Sequence, residues 1–149
     1  MTTDEFWSII DTVCRTTPDW RSRDAALWEL LRSQSDARLI AFDERYFEQH
    51  QRAYRWDLWE AADLLNGGCS DDCFHYFRDW MIAQGQSRFE RALDDPDTLA
   101  EILTEIGGAR LQSFGTVAWH IYVRRTGHLP PDQSRDYKSG PDGDYREDD

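Results

Sequence analysis

The sequence has no long apolar run and no excess of basic residues, and each absence excludes a class of protein. No segment reaches the roughly 18 consecutive apolar residues that a membrane-spanning helix requires. The 17 basic residues are outnumbered by 29 acidic ones, for a net charge of −12. Nucleic-acid phosphates and anionic membranes both bind clustered Lys and Arg, so we expect neither as a partner. The charge is compatible with a basic protein partner or with solubility alone.

Cysteine is scarce and odd in number, with Cys14, Cys69 and Cys73. A domain of this length buries roughly 70% of its unfolded surface and needs no disulfide. The set therefore predicts reduced thiols in a cytoplasmic protein. The first residues, MTTDEFW, show neither the basic stretch nor the apolar stretch of a secretory signal, which favours the same compartment.

Signals for the start and end of helices recur along the chain. Thr2 and Glu5 match a capping box, Ser70 is a candidate N-cap, Gly67 and Gly68 can end a helix, and Asp95 precedes a proline. Apolar residues recur at three- and four-residue spacing between these signals, and no strand pattern is present. We predict an all-α fold, with a single domain of about seven or eight helices over residues 1–130.

The composition changes after Pro131. Residues 132–149 contain seven acidic and three basic residues and only two aromatic ones. Such a segment has too little apolar area to offset the entropy lost on ordering. We predict that residues 131–149 form a flexible, disordered acidic tail.

Two apolar helices, at about residues 55–65 and 71–84, are joined by a short turn and are predicted to form a central antiparallel hairpin. The first has apolar residues on both sides, which is typical of a helix between two neighbours. Asp63 falls between Trp56 and Trp59, where burial would raise its pKa and make it a candidate acid or base. Alternatively, Asp63 forms an ion pair with Arg55 or Arg78.

On the second helix, the helical wheel places Cys73 on the buried side and directs His75 and Asp79 away from it. The spacing of Cys69, Cys73 and His75 resembles that of zinc ligands. Residues 73 and 75 are about 200° apart around a helix, however, so they cannot reach one ion. We expect no metal and no cofactor. His50 shares a face with Tyr46 and fits an ordinary core histidine.

Three polar residues at the turn have two interpretations each. Asp71 and Asp72 suit the first turn of a helix, and they are also candidate catalytic carboxylates. Arg78 lies at the edge of the buried face. It can clamp the two helices by bonding Asp57, Asp63 or the carbonyls of residues 66–68, or it can present its charge to an anionic ligand.

No phosphate-binding loop, Gly-x-Ser-x-Gly or His-Glu-x-x-His motif is present. The leading functional hypothesis is therefore a non-catalytic protein-interaction or regulatory module. The alternative is a small hydrolase-type enzyme with its site at the GGCSDD turn, using Asp71, Asp72 and Arg78, with Asp63 as a further candidate. A cleft at that turn with convergent polar groups would favour the enzyme, and a flat apolar patch would favour the interaction module.

The chain also resembles a known family. The resemblance rests on FWSIID, WDLWEAADLLNGGCSDDCFHYFRDWMIAQG and FERALDDPDTLAE, which span about residues 3–101. They are similar to an uncharacterised bacterial family, a domain of unknown function. The resemblance implies a mostly helical stand-alone domain without established catalytic residues or cofactor. Related sequences carry an aromatic residue in place of Asp63 and a small one in place of Cys73, so the resemblance favours the turn with Tyr76 and Arg78. Candidate binding residues are Trp56, Trp59, Tyr76 and Arg78.

Overall fold

The computed structural model of the protein describes residues 1–103, 113–131, 135 and 137–145. Within these ranges the chain forms eight α-helices and no β-strand, which confirms the all-α prediction. Three short 3₁₀ turns connect some of them, at Trp20–Ser22, Pro96–Thr98 and Phe114–Thr116. The helices are α1 (Thr3–Thr16), α2 (Arg23–Leu31), α3 (Asp36–Arg52), α4 (Trp56–Asn66), α5 (Asp71–Ile82), α6 (Gln86–Asp94), α7 (Leu99–Leu103) and α8 (Val117–Thr126). None of the described helices is both long and apolar enough to cross a membrane.

The ends of several helices follow the predicted local signals. Thr2 and Glu5 form the reciprocal capping box that begins α1, each side chain accepting the other residue's backbone N–H. Gly67, with a φ of +67°, ends α4 in the left-handed conformation that glycine adopts without a Cβ clash. The Ser70 hydroxyl accepts the Cys73 N–H at 3.2 Å and begins α5. These features confirm that helix boundaries are encoded locally.

Helix α5 is the centre of the fold. Eight of its twelve residues are buried, both apolar and charged. Phe74 and Trp80 are fully buried, and α3, α4 and α6 all contact the helix. At its C-terminal end, the Ala83 carbonyl oxygen accepts hydrogen bonds from Arg23 Nη1 at 2.7 Å and from Cys14 Sγ at 3.1 Å. The end of α5 is therefore attached to both α1 and α2.

Helix α4 contacts α5, α7 and the Pro96–Thr98 turn, and it is less buried than α5. Only Leu58 and Ala62 are buried, and Leu64 is 82% exposed. On its aromatic face, Trp56 stacks on Trp59 at 5.1 Å and contacts the Tyr145 ring, and Trp59 also stacks on Phe74 of α5.

The disulfide between Cys69 and Cys73 corrects the prediction of reduced thiols, and Cys14 is the free cysteine. The turn after Gly68 brings the two Cα atoms to 5.2 Å, within the range that a disulfide spans. The prediction considered only the number of cysteines and the length of the chain, neither of which describes the path of this turn.

Arg135 and residues 137–145 of the predicted tail contact the helical domain. The backbone of Asp142 pairs with the segment before α4, accepting the Trp56 N–H and donating to the Tyr54 carbonyl oxygen, both at 2.9 Å. The Tyr137 ring contacts Phe47 with centroids 4.8 Å apart. Residues 132–134, 136 and 146–149 lie outside the described residues. The domain boundary at residue 130 and the flexibility of the tail remain predictions.

Candidate functional site

An open cleft of about 1230 Å³ lies beside α3 and α5. Its other walls are the Phe114–Thr116 turn, the start of α8 and the described part of the C-terminal segment. Most of its polar side chains come from two helices. Those of α3 are Asp43, Tyr46, His50 and Gln51, and those of α5 are Asp71, Asp72, His75, Tyr76, Arg78 and Asp79.

Asp79 is the most buried acid of the cleft, at 2% exposure. The Tyr46 hydroxyl donates to its Oδ1 at 2.6 Å. Gly115 lies against the same oxygen, since a Cβ at residue 115 would be 2.6 Å from Oδ1. Burial raises the pKa of Asp79 to about 7, although the Tyr46 hydrogen bond and the Arg78 charge both lower it. This carboxyl group therefore gains and loses its proton near neutral pH.

Tyr46 remains a hydrogen-bond donor to the Asp79 carboxyl group at neutral pH. Burial, the Asp79 charge and the hydrogen bond to Asp79 raise the pKa of Tyr46 well above its ordinary value. The phenol thus keeps its proton at neutral pH and occupies Oδ1. The second oxygen, Oδ2, remains for other partners.

Two histidines complete the cluster around Asp79. Nε2 of the buried His50 lies 3.1 Å from the His75 carbonyl oxygen and 3.4 Å from Asp79 Oδ1. A carbonyl oxygen only accepts, so this nitrogen carries a hydrogen. Burial and the Arg78 charge lower the pKa of His50 well below its ordinary value, and the ring is neutral at pH 7. His75 lies at the exposed rim, with Nε2 3.9 Å from Asp79 Oδ2, and its pKa is also lowered by burial and by Arg78.

The same three residues have the spacing of a metal site. Ligand atoms of His50, His75 and Asp79 all lie within 4.8 Å of one another. In the structure, His50 Nε2 instead donates to the His75 carbonyl oxygen and lies beside Asp79 Oδ1. The arrangement is therefore that of a hydrogen-bonded acid–base cluster. The sulfur atoms of Cys69 and Cys73 are bonded to each other and are not thiolate ligands.

Arg78 is 5% exposed and lies with its guanidinium over the Tyr54 and Phe74 rings, at 4.4 and 4.9 Å from their centroids. It donates to the His50 carbonyl oxygen at 3.3 Å and to the Phe74 carbonyl oxygen at 3.4 Å. The predicted clamp partners on α4 are wrong, because this face of α5 turns toward α3. Asp57 pairs with Arg55, and Asp63 accepts the Cys69 N–H at 2.7 Å.

The candidate residues from the sequence divide into two groups. Asp71, Asp72, Tyr76 and Arg78 converge on the cleft. Asp63, Trp56 and Trp59 lie outside it. Asp63 is exposed, so its predicted burial between the two tryptophans is wrong. The Trp59 indole N–H donates to the Cys69 carbonyl oxygen at 2.8 Å, and the indole ring stacks on Phe74. Its role here is to hold the turn.

Sequence reasoning missed Asp79 and treated His50 as an ordinary core residue. The helical wheel placed Asp79 away from the core, because a wheel identifies the buried face only from the apolar residues of the same helix. A usable signal was present in two pairs of polar residues at four-residue spacing on apolar helices. Tyr46 and His50 form one pair on α3, and His75 and Asp79 form the other on α5.

The family model described as "Protein of unknown function (DUF4240)" matches residues 1–124, and the chain belongs to this family. No curated protein and no solved structure matches the chain. The match confirms the predicted membership in an uncharacterised domain family. It includes all of α3 and α5, which contribute the acid–base cluster, whereas Arg135, Tyr137 and Lys138 of the cleft wall lie beyond it.

Proposed function

We propose that this DUF4240 member is a small hydrolase-type enzyme and that Asp79 is its acid–base group. The observation that carries the proposal is the position of Asp79, a buried carboxyl that lines a cleft within reach of Tyr46, His50 and His75. A general base works best when its pKa lies near the operating pH, and the pKa of Asp79 is raised to about 7. Such a combination of burial, cleft and charged neighbours is typical of catalytic sites.

The residues have separate roles in this proposal. Tyr46 holds Oδ1 of Asp79, which leaves Oδ2 to take a proton from a water molecule as that water attacks the substrate. The same proton then passes from Oδ2 to the leaving group. His75, neutral at pH 7 and 3.9 Å from Oδ2, exchanges protons between Asp79 and solvent at the rim. Asp71 and Asp72 are exposed and shape the mouth of the cleft.

The test is turnover of four chromogenic probes: p-nitrophenyl acetate, p-nitrophenyl butyrate, p-nitrophenyl phosphate and bis(p-nitrophenyl) phosphate. We expect at least one to be hydrolysed, with a rate that falls about 100-fold or more in Asp79→Asn. Asparagine keeps an oxygen that accepts from Tyr46, so the fold is retained. Asp97→Asn, at an exposed position outside the cleft, is the control and keeps the wild-type rate. Release of p-nitrophenol no faster than in buffer for all four probes contradicts the proposal.

The non-catalytic interaction module of the bacterial cytosol is the second candidate. Two adjacent leucines of α4 favour it, because Leu64 is 82% exposed and Leu65 37% exposed. Two side chains form a much smaller patch than most interaction surfaces, and so the cleft is the stronger observation. A pull-down with purified protein, with and without residues 132–149, tests the module. Leu64→Ser is the informative variant, and enrichment that neither change reduces argues against this candidate.

A further inference from the structure

Arg78 brings a positive charge into the cleft that the protein leaves largely unpaired. No carboxylate oxygen of the described residues lies within 4.0 Å of its guanidinium. Both of its hydrogen bonds, at 3.3 and 3.4 Å, exceed the usual range of about 2.7–3.2 Å, and each ends on a neutral carbonyl oxygen. Burial lowers the pKa of Arg78 to about 10, so the group is still a cation at neutral pH. A charge removed from water in this way favours an anionic partner.

The guanidinium is also held in a defined orientation. Tyr54 and Phe74 contact it through their rings, and Nε and Nη1 donate to the backbone of α5 and α3. Nη2 donates to no described residue. A guanidinium has five N–H donors in a planar fork, so donors remain at the edge of the group that lines the cleft. A planar two-oxygen anion matches this fork.

The charges around the cleft favour an anion with a single negative charge. Asp71, Asp72 and Asp79 line the same cleft, its other cations, Arg135 and Lys138, are paired with Asp43 and Asp142, and the whole chain carries −12. A phosphate dianion would meet repulsion from these carboxylates that a monoanion meets only in part. Tyr76 and Trp119 supply aromatic surface in the lining for an apolar part of the ligand.

We propose that the cleft takes a small molecule bearing a carboxylate group and that Arg78 binds this carboxylate through two parallel hydrogen bonds. The inference rests on the proposed function in treating this cleft as the substrate site. The proposed substrates are small molecules with a carboxylate group and an apolar or aromatic portion. Arg78 is then a specificity-determining residue, and Asp79 acts on another bond of the same molecule.

The test is an NMR titration of the full chain with sodium benzoate and with benzamide, its neutral isostere. We expect benzoate to shift backbone amide resonances of α5 and to bind at least tenfold more tightly than benzamide. Arg78→Met and Arg78→Lys should each weaken benzoate binding at least tenfold, because methionine lacks the charge and lysine lacks the fork. Arg52→Met, which removes an arginine paired with Glu90 outside the cleft, is the control and binds benzoate as the wild type does.

Three results would overturn the inference: equal binding of benzamide and benzoate, unchanged benzoate binding in both Arg78 variants, or tighter binding of inorganic phosphate than of benzoate. Its failure is distinguishable from failure of the proposed function. Asp79→Asn should bind benzoate at least as tightly as the wild type, because a negative charge has been removed from the cleft. Benzoate binding without turnover of any probe supports the inference and contradicts the proposed function. Turnover that depends on Asp79, without benzoate binding, supports the proposed function and contradicts the inference.

Discussion

Two arginines are buried against α5, and the protein satisfies them to different degrees. Arg23, at 7% exposure, donates to the carbonyl oxygens of Thr17, Ala83 and Pro18 at 2.9, 2.7 and 3.3 Å. Arg78 makes two long bonds and lines the cleft. The first guanidinium uses all three of its nitrogens within the fold, whereas the second leaves Nη2 without a partner among the described residues.

The difference distinguishes a structural charge from a functional one. A buried cation surrounded by carbonyl groups stabilises the elements that supply them. A buried cation with free donors lowers the stability of the unliganded protein, and an anion that binds there recovers the lost interaction. Burial alone therefore does not indicate the role of a charged residue, but the completeness of its hydrogen bonds does.

The largest expected effect is at Arg23. Replacement by methionine removes the three hydrogen bonds to the carbonyl oxygens of Thr17, Pro18 and Ala83, and we expect the free energy of unfolding to fall by about 3 kcal/mol. Urea unfolding followed by circular dichroism measures it. Benzoate binding per folded molecule should be unchanged, because Arg23 does not line the cleft. An unchanged unfolding midpoint would show that Arg23 does not stabilise the fold and would contradict its structural role in this comparison.

The next largest effect is expected at Gly115. A methyl group there would lie 2.6 Å from Asp79 Oδ1 and 3.2 Å from Tyr46 Cε1, so Gly115→Ala should lower the free energy of unfolding by about 2 kcal/mol. It should also weaken the Tyr46–Asp79 bond and reduce turnover. Gly140→Ala is the matched control, since nothing lies within 4 Å of its added Cβ. Equal stability of the two variants would show that the turn does not confine Asp79.

Asp79 predicts a pH dependence of stability. Its folded pKa of about 7 lies above the ordinary value of 3.8, so between these values the folded protein binds more protons than the unfolded chain. Stability must then fall as pH rises through this window and level off above it, by about 1 kcal/mol between pH 6 and pH 7. Asp79→Asn should lack this dependence. Subtracting its free energy of unfolding from that of the wild type at each pH removes the contributions of other titrating groups, such as His50. Parallel stability curves from pH 5 to pH 8 would contradict the raised pKa.

The smallest effect is expected for the stability of Arg78→Met. The variant loses two weak hydrogen bonds and the contacts with the Tyr54 and Phe74 rings, but it no longer buries an unpaired charge. These terms oppose each other, so the free energy of unfolding should change by less than about 1 kcal/mol. A loss as large as that of Arg23→Met would place both arginines in the same structural class.

The sequence predicts the features that depend on neighbouring residues. Thr2 with Glu5, Gly67 and Ser70 mark helix ends through contacts three to five residues apart, and the structure confirms them. The convergence of Asp71, Asp72, Tyr76 and Arg78 follows in part from their position on one helix.

The centre of the cleft depends on distant residues and could not be predicted in this way. Asp79 is buried because Tyr46, 33 positions away, and Gly115 lie against it. Asp63 has two tryptophans nearby in sequence and is nevertheless exposed. Helical periodicity identifies which residues share a face, but the packing of α3 on α5 determines which polar face is enclosed.

The attachment of Ala83 to α1 and α2 has a mechanical consequence for the cleft. Helix α5 is roughly 18 Å long, at 1.5 Å per residue, and its C-terminal end is held by Arg23 and Cys14. A tilt of about 5° around that end moves the first turn of α5, with Asp71 and Asp72, by about 1.5 Å. A small rotation of α5 about this end would therefore change the width of the cleft mouth.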